Sequence, residues 1–139
     1  MKKYIVVGCA VACIAVFWDF IYGLPDLDIK LLGIGKHRHF LTHSCLIPFL
    51  LYLAQRRAAH LVQALLSVGV IATGAVLGVH LFDDTLQTKS VVFWPFFHHL
   101  LENTSLDDRI WEGSMSALCF FLAGMSLSRV LGERTERGG

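Results

Sequence analysis

Residues 61–82 read LVQALLSVGVIATGAVLGVHLF. The run holds no Lys, Arg, Asp or Glu. A helix rises about 1.5 Å per residue and the hydrocarbon core of a bilayer is about 30 Å thick, so a run of this length crosses it. Gly69, Gly74 and Gly78, with Ser67, Ala72 and Ala75, interrupt the larger side chains. Small residues let membrane helices approach closely. The stretch therefore predicts a membrane helix packed against a neighbour.

The flanking sequence repeats the pattern. A first apolar block runs from Tyr4 to Tyr22 behind Lys2 and Lys3. It is long for a signal core and closes on the large residues Phe17, Trp18 and Phe20, so it is expected to be an uncleaved anchor. A second block, Leu41 to Ala54, is short and contains Pro48, and reads as a thin, tilted or re-entrant span. A fourth runs from Ile110 to Leu131, with Gly113, Ser116, Ala117 and Gly124 as its small residues and Ser105 or Asp107 as its cap. The whole chain has 139 residues, of which 55% are hydrophobic and 17% charged, with a mean hydropathy of +0.58. The expected fold is an all-α integral membrane bundle, one domain of about four transmembrane helices, and not a soluble enzyme. A net charge of +1 gives no reason to expect a nucleic-acid partner. The bilayer is the expected partner. Cys9, Cys13, Cys45 and Cys119 all sit in apolar blocks and read as small hydrophobes.

Loop charges set the expected orientation. With four spans, Lys2, Lys3, Arg56, Arg57, Arg129, Arg134 and Arg137 share one side. They outnumber Lys30, Lys36, Arg38, Lys89 and Arg109 on the other, where most acids lie. The termini are expected in the cytoplasm of a bacterial-type inner membrane. Phe17, Trp18, Tyr22, Phe93, Trp94, Phe96, Phe97 and Trp111 read as an aromatic belt at the other interface.

Ionisable residues are few, and the four-span topology gathers them at that second face. Leu24-Pro25-Asp26-Leu27-Asp28 follows the first span, His37-Arg38-His39-Phe40-Leu41-Thr42-His43-Ser44 opens the second, and His80-Leu81-Phe82-Asp83-Asp84 closes the third. His80 and Asp84, one helical turn apart, project from one face and can hold one ion. His39 and His43 repeat that spacing. Imidazole with carboxylate suits zinc, manganese or iron, and a carboxylate-rich subset suits magnesium. A divalent ion there would supply a water nucleophile near neutral pH. Each residue also has a plainer reading. Asp26 and Asp28 serve equally as solvated loop acids, His80 as a partner of a helix C-terminus, Thr42 and Ser44 as caps. Asp19, inside the first apolar block, either reaches the interface or supports the site from behind. His98 and His99 read as interfacial, and His60 lies on the opposite side.

These ordered motifs, with Trp94-Pro95-Phe96 after them, resemble the YdjM-like family of bacterial inner-membrane proteins, predicted metal-dependent hydrolases. The likeness covers Leu24 to Phe96. It implies a functional set of Asp26, Asp28, a histidine at 37 or 39, His43, His80 and Asp84, and a distant similarity to zinc-dependent phospholipase C-type helical enzymes. The first histidine stands one residue further from the second than the family pattern has it, so His39 replaces His37 or the loop bulges. The family's amino-terminal histidine is absent. Its Pro-x-Gly is replaced by Gln87-Thr88-Lys89. The expected activity is hydrolysis of an ester or phosphoester, with a lipid or lipid-linked phosphate as substrate. Asp83 is the expected general base, with Asp19, Arg38 and Thr42 supporting the ligands. A structural metal clamp and a small ion path are the rival expectations. Gly74 and Gly78 serve self-association or packing within one bundle equally well, so the oligomeric state stays open.

Overall fold

The computed structural model describes residues 2–27, 29, 41–86 and 108–132, and among them all regular structure is helical. Four helices follow in order: α1 (Lys2–Tyr22), α2 (Leu46–Arg57), α3 (His60–Thr85) and α4 (Asp108–Gly132). Of these α1, α3 and α4 are long and apolar enough to cross a membrane. Large apolar side chains cover their outer faces, Val16, Leu65 and Phe121 among them. In water such a surface would aggregate; in lipid it is the ordinary outside of a bundle.

The second apolar block becomes helical only at Leu46, five positions later than the apolar pattern begins. Cys45 precedes it, and Ser44 Oγ, accepting from Leu46 N–H at 3.3 Å and donating to Leu41 C=O at 2.8 Å, occupies the entry turn. With 12 residues α2 is about 18 Å long and cannot cross alone. The chain nevertheless runs antiparallel along α3, from His43 against His80 to Gln55 against Ser67. Its upper part is irregular backbone, which membrane depth tolerates where protein encloses it. The α2–α3 connection is Ala58 and Ala59, and His60 takes the left-handed φ of 46° that reverses the chain.

Around α3 the other helices gather: α4 and α2 pack on it, and α1 does too without touching α2. The core joins Ile21 of α1, Ala72, Val76, Leu77 and Leu81 of α3, and Cys119 of α4. α1 bends at Phe17, and its last turn brings Ile21 and Tyr22 onto α3. All four thiols are free. Cys119 is buried, whereas Cys9, expected like the other three to be a small buried hydrophobe, is exposed.

The glycines of α3 set its distance from α4. A Cβ on Gly74 would stand 2.7 Å from the Cys119 carbonyl oxygen and 3.0 Å from Ala123 Cβ. One on Gly78 would first meet the Phe120 ring, at 2.9 Å. Ser116 Oγ donates to the Gly78 carbonyl at 2.7 Å across the same seam. Backbone cannot yield and a half-exposed ring can. Gly74→Ala should therefore lower stability by about 1–3 kcal/mol and Gly78→Ala by less. Thermal melting in detergent ranks the two, and equal losses would show that the seam adjusts freely.

Candidate metal centre

The polar residues meet where α1 ends, α2 begins and α3 ends. Asp26 is placed by a turn. Leu27 N–H donates to Leu24 C=O at 3.2 Å, and Pro25, buried, takes the second position, which its fixed φ suits. His43 precedes α2 and is fully buried. Its carbonyl accepts from Trp111 Nε1 of α4 at 3.0 Å, and Thr42 Oγ1 lies 3.3 Å from its Nδ1. His80 and Asp84 project from the last turns of α3, 4% and 7% exposed.

One donor atom each from Asp26, His43 and His80 lies within 4.8 Å of the others. Donors around a tetrahedral zinc, at about 2.0–2.1 Å from it, stand about 3.3 Å apart. Binding would require the side chains to draw closer than the 4.8 Å upper bound. Asp84 Oδ2 lies beside the two imidazoles, 3.1 Å from His80 Nε2 and 3.4 Å from His43 Nε2. Despite that closeness His80 forms no hydrogen bond through either ring nitrogen among the described residues. Its Nε2 approaches the carboxylate outside hydrogen-bonding geometry. Three such donor atoms gathered in one small space are a grouping that could hold a cation. The helix itself points the same way. Asp83 and Asp84 lie in the last turn of α3 with no basic residue there, where the helix dipole disfavours negative charge.

Asp83 turns elsewhere: its Oδ2 accepts from Tyr22 OH at 2.9 Å. The Tyr22 ring meets His80 edge-on at 4.6 Å and stacks on Trp18 at 5.9 Å. Tyr22 and Trp111 thus turn polar atoms inward, where the aromatic pattern alone assigns them to the interface. Asp19 is exposed, and among the described residues its carboxylate has no partner. His60 lies at the other end of α3, about 30 Å from His80 along the axis. Asp28, His37, Arg38 and His39 lie outside the described residues, as do Lys89, the aromatic stretch from Phe93 to Phe97, His98 and His99.

Glu112 is the residue that the motifs do not bring out. It is fully buried, one turn before Ser116, so it faces the end of α3. The sequence carries its signal: a lone acid just inside an apolar block, where a bare charge is costly. A second polar group lies about 20 Å away along α3. There Gln55 Nε2 donates to Ser67 Oγ at 2.7 Å and Ser126 Oγ at 2.9 Å. No family model, curated protein or solved structure matches the chain.

Proposed function

We propose that this membrane protein is a metal-dependent hydrolase acting on an ester or phosphoester, with a lipid or lipid-linked phosphate as its substrate class. The observation that carries the reading is the convergence of half-buried Asp26 with buried His43 and His80 from three separate segments of the chain. Removing the two imidazoles from water costs of order 2–7 kcal/mol per polar group unless a bound partner compensates. One divalent ion would compensate both and take Asp26 as its charged partner. Two nitrogens and one oxygen suit zinc best, then manganese; magnesium prefers oxygen throughout.

Asp26, His43 and His80 would hold the ion, with Asp84 beside both imidazoles. Thr42 Oγ1 at His43 Nδ1 and the Tyr22 ring against His80 orient the two rings. A divalent ion bound there supplies Lewis acidity and a water of lowered pKa. Asp83, one oxygen held by Tyr22, is the further carboxylate that would accept a proton. Because Arg56, Arg57 and Arg129 mark the far end of the bundle, that end belongs in the cytoplasm and the site on the extracytoplasmic face of an inner membrane.

A structural role for the same ion is the second reading. It is favoured by the origin of the donors in three segments, with Trp111 tying the His43 backbone to a fourth. Metal analysis of detergent-purified protein, before and after chelation and add-back, separates these when run beside hydrolysis of phospholipid and of a generic phosphoester. The expected result is close to one ion per chain and hydrolysis that stops with chelator and returns with metal. Stoichiometric metal without hydrolysis leaves the clamp. No metal after add-back ends both readings.

A further inference from the structure

The end of the bundle opposite His43 and His80 carries an open groove of about 440 Å³ between α2 and α4, lined by Tyr52, Met125, Ser128, Arg129 and Gly132. We propose that this groove binds the phosphate headgroup of an anionic membrane phospholipid, independently of any metal. The Arg129 guanidinium lies over the Tyr52 ring, 5.9 Å from its centre. A cation–π contact at this distance uses none of the guanidinium's N–H donors, so the fork that matches phosphate oxygens is not consumed by it. Arg129 makes no ion pair among the described residues. The Ser128 hydroxyl, exposed beside it, is a second donor.

Position and charge select a lipid over other anions. Arg129 belongs to the last turn of α4, and Arg56 and Arg57 to the last turn of α2. Arg56 stands one turn beyond Tyr52 on the same face of α2. All three arginines therefore reach the level where a bilayer presents its phosphates. The acids whose side chains are described (Asp19, Asp26, Asp83, Asp84 and Glu112) all lie toward the opposite end of the bundle. Further along the sequence Glu133 and Glu136 are balanced by Arg134 and Arg137. Tyr52 and Met125, the latter 42% exposed, give the groove an apolar bed continuous with the lipid-facing surface, suited to the glycerol and upper acyl carbons. A soluble phosphate would use the arginine and leave this bed empty. Basic clusters at a helix end are the usual recognition device for anionic headgroups.

The test is native mass spectrometry of the full chain in neutral detergent with equimolar phosphatidylglycerol and phosphatidylcholine. Wild type is expected to retain phosphatidylglycerol at least fivefold over phosphatidylcholine, in keeping with charge-assisted pairing. Arg129→Ala should lose most of that preference. Arg129→Lys, which keeps charge and fold but not the fork, should lose part of it. Equal retention of the two lipids by wild type overturns the proposal. So does a preference that survives undiminished in both variants, or one that soluble glycerol phosphate at the same concentration removes.

Discussion

Alanine at His80 is expected to weaken metal binding by at least 100-fold. Loss of an outer partner alone typically costs 10- to 100-fold, and His80 offers a donor atom itself. Its ring is 4% exposed and lies within reach of Asp26, His43 and Asp84. Asp84→Ala should fall less far, by about 10- to 100-fold if Asp84 only braces the two imidazoles, and as far as His80→Ala if it is a ligand. Melting temperature reads the same equilibrium. An ion at 100 times its dissociation constant stabilises the fold by about 2.7 kcal/mol, so chelator should lower the wild-type transition by several degrees. His80→Ala should melt at one temperature with or without chelator. This null response isolates the metal from any effect of removing a buried ring. A variant that keeps wild-type stoichiometry and its response to chelator would take His80 out of the site.

How far the sequence discloses this arrangement depends on which forces act locally. Spans are legible because bilayer thickness and backbone hydrogen bonding leave few alternatives. The runs ending at Tyr22, Phe82 and Leu131 each lie within a helix of the bundle. The start of α2 is not legible, because residues 41–45 hold no Pro or Gly to stop a helix and are kept irregular instead by tertiary contacts, His43 to Trp111 and His80. Within the site, Asp26, His43, His80 and Asp84 stand out because ionisable residues in an apolar chain are rare and their spacing is regular. Tyr22, Trp111 and Glu112 do not. A tyrosine or tryptophan at a span end has the same composition whether its polar atom faces headgroups or a buried carbonyl, and only the rotation of the helix decides. Gln55 is hidden for the same reason. It sits beside Arg56 and Arg57 in a stretch that looks like a solvated helix end, yet it is fully buried.

That burial makes Gln55 the second large effect. Gln55→Ala should destabilise the bundle by about 2–3 kcal/mol, the cavity and the lost bonds less the relief of its unpaired Oε1. The two contributions can be ranked. Side-chain hydrogen bonds between membrane helices average about 0.6 kcal/mol, so the bonds to Ser67 and Ser126 together are worth little more than about 1 kcal/mol. Moreover the Gln55 Oε1 is buried without a hydrogen bond among the described residues, a cost of about 1–3 kcal/mol that any apolar replacement removes. Ser67 keeps its own bond to the Gln63 carbonyl at 2.7 Å whatever stands at 55. The volume of the side chain therefore outweighs its polarity. Gln55→Leu, which fills most of the space, should cost far less than alanine, and adding Ser126→Ala should bring it close to wild type. Thermal melting in detergent orders the series. If leucine were as damaging as alanine, the amide bonds rather than packing would hold α2, a helix too short to be fixed by the bilayer, against α3 and α4.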